Sequence, residues 1–258
     1  MTTEQLVARA WPQPLAWLML QLVLLCLGLM SLAWNLVALV LYPLLPRATG
    51  LRVGRAGIAW GYRLFWMVAR ASGLLHMDAS ALRALAGERG LMIIANHPSL
   101  LDAMMLVSML PRSACVMKAS LMRNPLLAPG ARLARYIRNS TPHLMMHLAI
   151  DDLRAGGQLI MFPEGTRTTR TPLNPFQGGF ALIARRAGVP VQTVFIDTTS
   201  PYLGKGWPLW RLPPTPIDFT VRVGRRFEIG ADLGASVQEI ERYMAAGVRP
   251  LPPRPSQS

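Results

Sequence analysis

The apolar positions near the start of the chain form one long, uninterrupted block. Residues 15–45 contain no charged side chain, and about 20 apolar residues are enough for a helix to cross the hydrocarbon core of a bilayer. The block therefore predicts a retained membrane anchor, either one tilted spanning helix or a short helical hairpin that turns near residues 28–35. Trp17, Trp34 and Tyr42 stand where interfacial aromatic side chains are expected in such an anchor.

A second helical pattern follows the anchor. Residues 55–75 mix apolar side chains with arginines, as an amphipathic helix at a membrane surface does when its arginine heads reach toward lipid headgroups. An ordinary helix of the protein core would show the same spacing, and both interpretations stay open. Residues 1–75 together form the predicted membrane unit of the chain.

Short apolar runs alternate with amphipathic stretches from residue 76 onward. Runs such as 91–95 and 158–162 predict buried strands, and the stretches between them predict helices. Further strands are expected at 114–117, 191–196 and 217–229, the last with a break at Gly224, and helices at 99–110, 143–154, 179–187 and 236–246. The alternation predicts an α/β domain over residues 76–248, built on a mixed, mostly parallel sheet flanked by helices. The proline-rich residues 249–258 are expected to be a disordered tail.

The charge of the chain favours an anionic surface as partner. The 258 residues carry a formal net charge of +14 and are 52% hydrophobic, a combination that suits phospholipid headgroups. Nucleic acid is the other anionic candidate, but no nucleic-acid-binding motif is present and none is expected as partner. Arginines crowd the C-terminal side of the anchor. The positive-inside rule therefore predicts that the following domain lies on the cytoplasmic face of the inner (plasma) membrane.

His97 is the first residue with a clear chemical use. It follows the predicted strand 91–95 and precedes a helix, where α/β proteins commonly place reactive groups. Imidazole accepts a proton near neutral pH, and Asp102, in the first turn of the helix, can orient the ring and stabilise the imidazolium. Asp102 also fits a capping role, because Ser99 and Asp102 have the spacing of a helix N-cap with an acidic third residue. No serine or cysteine nucleophile is evident, which favours direct attack by a substrate hydroxyl.

A second polar group stands directly after the predicted strand 158–162. Gly165 permits a tight turn with close backbone approach. Arg167 can make a bidentate contact with a phosphate, and Thr166 can donate through its hydroxyl. Glu164 can orient these donors or accept a hydrogen bond from a substrate hydroxyl. Taken alone, the segment is also an ordinary polar turn.

Three further features bear on chemistry. Arg138 follows a possible short strand and is a second candidate for binding an anionic group, although a plain surface arginine fits equally well. His143, His147 and Asp151 would align on one helical face, but the segment lacks the glutamate of the zinc-protease pattern and no metal is expected. Cys115 is expected to be a small buried side chain, and the two cysteines of the chain form no CxxC pattern.

Taken together and in this order, the motifs resemble those of the 1-acyl-glycerol-3-phosphate acyltransferase family, the PlsC-like glycerolipid acyltransferases. Residues 97–102 match the HxxxxD signature of that family, and residues 162–167 match its FPEGTR block. Residues 176–180 and 189–191 are similar to later blocks of the family. The resemblance covers about residues 76–230.

The resemblance implies an O-acyltransferase that uses acyl-CoA or acyl carrier protein as co-substrate and holds no bound cofactor. It implies His97 as general base and Asp102 as its orienting partner. It further implies that residues 164–167 bind the acceptor, with Arg138 as an additional phosphate contact. The acceptor is then a membrane lysophospholipid, with 1-acyl-sn-glycerol 3-phosphate as the expected one and phosphatidic acid as its product.

Other functions stay open at this stage. Residues 136–139 read Tyr-Ile-Arg-Asn, whereas the family has an apolar pair, Asp, then Arg. A lyso-ornithine lipid or another specialised lipid or polyene hydroxyl is therefore an alternative acceptor. A membrane-bound lipid hydrolase that directs His97 and Asp102 at water is a second alternative. A non-enzymatic basic protein that adheres to membranes is a third.

Overall fold

The computed structural model describes residues 12–118, 122, 124, 127–139 and 141–250. The helices are α1 (Gln13–Leu44), α2 (Arg47–Ala71), α3 (Asp102–Met109), α4 (Ala128–Leu133), α5 (Pro142–Arg154), α6 (Gly179–Ala187) and α7 (Leu233–Gly247), with a 3₁₀ turn at Ser80–Leu85. The strands are β1 (Leu75–Asp78), β2 (Leu91–Ala95), β3 (Ser113–Lys118), β4 (Ile137–Asn139), β5 (Gln158–Met161), β6 (Val191–Thr198) and β7 (Ile217–Phe227). Most of the predicted tail lies outside the described residues.

The strands of the described residues form one sheet in the order β1-β7-β6-β2-β5-β3-β4. Every neighbouring pair is parallel except β6 and β7, which run antiparallel. All five residues of β2 are buried at the centre of the sheet, as a continuous apolar run predicts for a strand covered on both faces. The predicted fold class, a mostly parallel mixed sheet flanked by helices, is confirmed.

The predicted break of the last strand at Gly224 is a β-bulge and not an end of the strand. β7 continues through this position, but Gln192 pairs with Arg226 and Val194 with Val223, so that Gly224 and Arg225 both lie opposite Thr193. A Cβ at Gly224 would overlap the side chains of Thr193 and Phe195. Glycine is therefore present here for close approach of the two strands, and it does not end the strand.

α1 is one continuous helix of 32 residues, and the hairpin alternative is not observed. It is the one helix of the described residues that is long and apolar enough to cross a membrane, with a mean hydropathy of 2.3 in its most apolar window. Trp17, Asn35 and Tyr42 each contact the rest of the protein, through Trp210, Gly130 and Arg135 respectively. The opposite side of the helix exposes many leucines. One side of α1 thus packs on the domain over most of its length.

α2 is packed into the α/β domain. Its buried side chains, which include Phe65 and Trp66, belong to the same core as the central strands. Arg55 is buried and pairs with Asp152 at 2.6 Å, and its guanidinium also donates to the carbonyls of Arg112 and Ala134. This differs from the expectation that the arginines of this helix reach toward lipid headgroups, because the guanidinium of Arg55 is engaged inside the protein by Asp152 and two backbone carbonyls.

Candidate active site

His97 and Asp102 lie at the carboxyl edge of the sheet, in the loop that joins β2 to α3. Nδ1 of the His97 ring is 2.8 Å from Oδ2 of Asp102. Because an ionised carboxylate can only accept, Nδ1 carries the proton and Nε2 holds the free lone pair. The His97 side chain is 18% exposed, whereas that of Asp102 is fully buried. A substrate can therefore reach the imidazole but not the carboxylate that orients it.

The carboxylate of Asp102 is held by the loop itself. Its Oδ2 also accepts a hydrogen bond from the backbone N–H of Ser99 at 2.8 Å. Its Oδ1 is buried and has no hydrogen-bond partner within the described part of the chain. Burial raises the pKa of Asp102, and the hydrogen bonds from His97 and Ser99 oppose this rise. The ionised form consequently depends on these two donors.

Asn96, inside the loop, and Phe162, outside it, fix the position of His97. Asn96 closes a pair of 2.8 Å hydrogen bonds with the backbone of Ile196 in β6, through its amide nitrogen and its amide oxygen. The His97 ring stacks on Phe162, which follows β5, with centroids 4.0 Å apart and planes 17° from parallel. The imidazole therefore sits between the two strands that neighbour β2, and its plane is set by an aromatic face.

Glu164 supports, from inside the protein, the loop of residues 96–101 between β2 and α3, here called the catalytic loop. It is 4% exposed, and its Oε1 accepts hydrogen bonds from the backbone N–H of His97 at 3.0 Å and from the hydroxyl of Thr168 at 2.7 Å. Its Oε2 accepts from the backbone N–H of Asn174 at 2.9 Å. This differs from the expected role in acceptor binding, because both oxygens are already engaged by the protein. Glu164 positions His97 from the opposite side to Asp102.

We expect Glu164→Gln to lower the free energy of unfolding by about 2 kcal/mol, because one of the two carboxylate positions becomes an N–H donor that faces another donor. Chemical denaturation of the purified protein measures this change. Glu239→Gln is the matched control, since Glu239 is exposed and its ion pair with Arg225 lies on the surface. Unchanged stability together with a raised acceptor KM would restore the role in acceptor binding.

The structure brings residues 165–167 beside His97. The backbone N–H of Thr168 donates to the His97 carbonyl at 2.7 Å. Gly165 has a φ of +67°, in the left-handed region that favours glycine, and a Cβ there would collide with Gln177. Thr166 and Arg167 are half-buried. The two motifs thus form one continuous site, although 60 and more residues separate them.

Arg167 is partly committed to the protein itself. Its Nη1 donates to the carbonyl oxygens of Leu203 at 2.8 Å and Gly204 at 3.0 Å. Both residues belong to the segment 199–216 between β6 and β7, here called the β6–β7 loop. The guanidinium has five N–H donors, so these contacts leave further donors for a substrate anion while they fix the position of the group.

Arg138 is not part of this cluster. It lies on β4, at the outer edge of the sheet, and is exposed. β4 is three strands away from β2, which corresponds to about 14 Å at the usual strand spacing. The expected phosphate contact by Arg138 therefore has no geometric support, because the strand order separates it from His97.

The backbone donors of the catalytic loop are also engaged. The N–H of His97 donates to Glu164, that of Ser99 to Asp102, that of Leu100 to the carbonyl of Leu203, and that of Leu101 to the hydroxyl of Ser99. A developing oxyanion therefore finds no free N–H at these four positions.

Cys115 is a buried residue of β3, and burial raises the pKa of its thiol to about 12. The thiolate is therefore scarce at neutral pH, and an acyl-cysteine intermediate is not favoured.

We expect Cys115→Ser to keep acyl transfer within about twofold, since the thiol acts as a small core side chain. A trapped, hydroxylamine-sensitive acyl-enzyme that disappears in this variant but persists in Cys26→Ser would contradict the expectation.

His143 and His147 lie on α5 with ring centroids 4.5 Å apart. Among the residues that the structure describes, no group of three or more His, Cys, Asp or Glu side chains is arranged to hold a metal ion.

The β6–β7 loop is the part of the site that the sequence did not indicate. It carries no motif, yet it accepts hydrogen bonds from the Ser99 hydroxyl through Tyr202 and from the Leu100 N–H through Leu203. Its proline, glycine and tryptophan content indicated only a connecting segment. The contacts join residues that are about 100 positions apart, which a local pattern does not reveal.

The fold and the site together define an α/β protein with a His–Asp pair five residues apart at the carboxyl edge of a mostly parallel sheet. A family model described as Acyltransferase matches residues 76–197. The crystal structure of the 1-acyl-sn-glycerophosphate acyltransferase PlsC from Thermotoga maritima superposes with a TM-score of 0.68 at 19% identity, covering 91% of this chain and 93% of that one. Residues 76–197 thus resemble an acyltransferase domain, and the chain shares the fold of that PlsC structure.

Several curated relatives are described as lipid acyltransferases. The chain is 26% identical over 176 residues to a 1-acyl-sn-glycerol-3-phosphate acyltransferase of Cocos nucifera, covering 66% of the chain and 54% of the relative. A Limnanthes alba protein of the same description is 28% identical over 195 residues, covering 72% and 66%. A lyso-ornithine lipid O-acyltransferase of Pseudomonas aeruginosa is 29% identical over 151 residues, covering 54% and 58%. The chain therefore spans about half to two thirds of these relatives.

Proposed function

We propose that this protein is a membrane-associated O-acyltransferase that moves a fatty acyl chain from acyl-CoA or acyl carrier protein to a lysolipid hydroxyl. The acceptor we favour is 1-acyl-sn-glycerol 3-phosphate, with phosphatidic acid as product. The observation that carries the proposal is the contact between the imidazole of His97, which is partly exposed, and the buried carboxylate of Asp102. The relatives that are described as acyltransferases of lysolipids support the same reaction.

The chemistry follows from the tautomer of His97. Nε2 takes the proton of the acceptor hydroxyl while its oxygen attacks the thioester carbonyl, and Asp102 stabilises the imidazolium that forms. The C–S bond then breaks, and the imidazolium returns the proton to the leaving thiolate. An ester and a free thiol result, and His97 is neutral again. No side chain of the protein has to become acylated.

The position of α1 supports attachment to one leaflet of the membrane. Its contacts with the domain run from Trp17 to Tyr42, which is about 38 Å along the helix axis. A helix that is bound to the domain over this length has no free stretch of about 20 residues with which to cross a bilayer. The exposed leucines of its other side fit burial at the interface. The excess of arginine favours the anionic cytoplasmic leaflet.

An apolar cavity lies where α1 and α2 meet the carboxyl end of β3. It has a volume of about 70 Å³, and residues such as Leu27, Met30, Ile58 and Met117 line it. One of its walls is α1, the helix that we assign to the membrane side of the protein, and another is α2. We infer that this cavity receives part of a fatty acyl chain, because an apolar wall that continues toward lipid excludes water from the chain.

The identity of the acceptor is tested with a panel of lysolipids. Purified protein is incubated with labelled acyl-CoA or acyl carrier protein and each lysolipid, and the products are identified by mass. The favoured outcome is phosphatidic acid from 1-acyl-sn-glycerol 3-phosphate. Preference for lyso-ornithine lipid is the second candidate, supported by the Pseudomonas relative and by the distance of Arg138 from the site. Free fatty acid released without acceptor would instead indicate a hydrolase.

We expect Arg167→Ala to raise the apparent KM for the acceptor about tenfold and to change turnover less, because a charged hydrogen bond to a bound anion is lost. Steady-state kinetics at varied acceptor concentration separate the two constants. Arg138→Ala is the matched control and should stay within about twofold, since an exposed arginine remote from the site contributes little. A defect in turnover alone would count against a binding role for Arg167.

A further inference from the structure

Three large apolar side chains are exposed on the two loops that contact each other at the site. Leu100 of the catalytic loop is 53% exposed, and Leu209 and Trp210 of the β6–β7 loop are 53% and 73% exposed. Large apolar side chains that cluster at a protein surface usually mark an interaction site. Tryptophan in particular favours the boundary between water and the acyl region of a membrane. We call Leu209 and Trp210 the lip.

The lip is tied directly to α1. The indole N–H of Trp17 donates to the carbonyl of Trp210 at 2.7 Å, and the side-chain amide of Gln21 donates to the carbonyl of Leu209 at 3.2 Å. Trp17 itself is 42% exposed. The lip therefore adjoins the exposed side of α1. Any surface that binds the exposed side of α1 would also contact the lip.

The lip is also tied to the catalytic loop. Earlier in the same loop, the Leu203 carbonyl accepts the N–H of Leu100 at 3.0 Å, and the Tyr202 carbonyl accepts the Ser99 hydroxyl at 3.0 Å. Arg167 holds the Leu203 carbonyl from the other side. These bonds connect the β6–β7 loop, which carries the lip, to the segment that contains His97.

Basic residues flank the lip. Lys205 is exposed, and the guanidinium of Arg211 lies 5.3 Å from the centre of the Trp207 ring. An apolar pair with cations on both sides is the pattern of a surface that meets anionic lipid headgroups, because the apolar groups enter the interface and the cations stay at its level. This charge pattern and the continuity with α1 favour a lipid surface over a protein partner.

We propose that Leu209 and Trp210 form a second membrane contact that sits in the same lipid interface as α1 and sets the height of His97 above it. This inference rests on the proposed attachment of α1 to one leaflet. It assigns to the β6–β7 loop the task of holding the mouth of the site, next to Leu100, against the surface from which a lysolipid enters. The lip and α1 then contact the bilayer on two sides of that mouth.

The contact is tested with nitroxide labels on the full chain bound to vesicles of phosphatidylglycerol and phosphatidylethanolamine. Cysteines replace Leu209 in the lip, Leu29 on the exposed side of α1 and Leu144 on α5, in a Cys26→Ser, Cys115→Ser background. Leu144 is the matched control, since its 52% exposure is close to the 53% of Leu209. Accessibility of each label to a water-soluble nickel chelate and to oxygen is measured with and without vesicles.

The labels at 29 and 209 should lose accessibility to the nickel chelate only when vesicles are present, and the label at 144 should not change. If the label at 29 is protected from the nickel chelate and the label at 209 is not, the proposed membrane contact of the lip is wrong, whereas the attachment of α1 is supported. If neither label loses accessibility when vesicles are added, both the attachment of α1 and the membrane contact of the lip are wrong. If the label at 209 is already protected without vesicles, the lip contacts another copy of the protein, and the proposed membrane contact is wrong.

A kinetic measurement separates membrane contact from shaping of the site. The double variant Leu209→Ser, Trp210→Ser should raise the apparent KM for a lysolipid embedded in vesicles at least about tenfold, because two large apolar side chains no longer enter the interface. Transfer to a water-soluble short-chain acceptor should not change. The control Leu144→Ser, Leu148→Ser should alter neither. Equal losses with both acceptors would mean that the loop only shapes the site.

Discussion

His97→Ala is expected to fold like the parent protein and to lose acyl transfer by about 10²–10⁴-fold, the usual loss when a general base is removed. The ring contributes a stack on Phe162 and one hydrogen bond to Asp102, and it is half-buried at the edge of the core. Its backbone N–H, which Glu164 holds, is kept by alanine. The loss should therefore fall on turnover, measured as product formed per enzyme at saturating thioester and acceptor.

The control for this variant is His143→Ala, since His143 is an exposed histidine of α5 remote from the catalytic loop. It should retain full activity. Circular dichroism and thermal melting show whether both variants are folded. If His97→Ala transfers acyl chains at a rate near that of the parent protein, every mechanism that uses this imidazole is wrong. That includes a hydrolase mechanism that uses His97 and Asp102.

Asp102→Asn is expected to keep the fold and to reduce turnover by about 10²-fold or more, since the charge that stabilises the imidazolium is removed. The geometry should survive, because the N–H of Ser99 requires an acceptor at the Oδ2 position. The asparagine oxygen must therefore stay there and keep accepting from Nδ1 of His97. Its amide nitrogen takes the place of Oδ1, which has no partner to lose. The variant thus removes the negative charge beside His97 while it keeps the orientation of the ring, so the loss of turnover measures the contribution of the charge alone.

The stability of this variant follows from the pKa of Asp102. Burial raises this pKa, so in the folded protein the carboxyl binds its proton more tightly than in the unfolded chain. Stability therefore falls as the pH rises through the ordinary aspartate pKa, and at neutral pH ionisation of Asp102 opposes folding. Asparagine does not ionise. The melting temperature of Asp102→Asn at neutral pH should accordingly equal or exceed that of the parent protein, and a clear decrease would contradict this account.

The parts of the fold that depend on local pattern could be predicted from the sequence. The continuous apolar runs of β2 and β6 and the helical spacing of α6 and α7 indicate their own conformation, because periods of 2.0 and 3.6 residues are properties of neighbouring positions. The His97–Asp102 pair belongs to the same group. Five residues at the start of a helix bring the two side chains within reach, whatever the remaining chain does.

Contacts between distant residues could not be predicted in this way. Glu164 and Arg167 read as an acceptor-binding turn, yet one supports the backbone of His97 and the other holds the β6–β7 loop. Arg138 reads as a phosphate ligand, yet the strand order places it at the far edge of the sheet. Arg55 reads as a headgroup contact, yet it pairs with Asp152, 97 residues away. In each case the residue type showed which interactions were possible, and packing decided which one formed.

By itself, the sequence determined that an apolar helix precedes an α/β domain and that an imidazole with a carboxylate partner stands at a strand end. These features arise from hydrophobic periodicity and short spacing, which act along the chain. The tertiary structure decided that α1 lies along the domain, that α2 belongs to the core, and that the unmarked β6–β7 loop joins α1 to the catalytic loop. Those outcomes depend on which buried surfaces and backbone groups meet after folding, and residues far apart in the chain supply them.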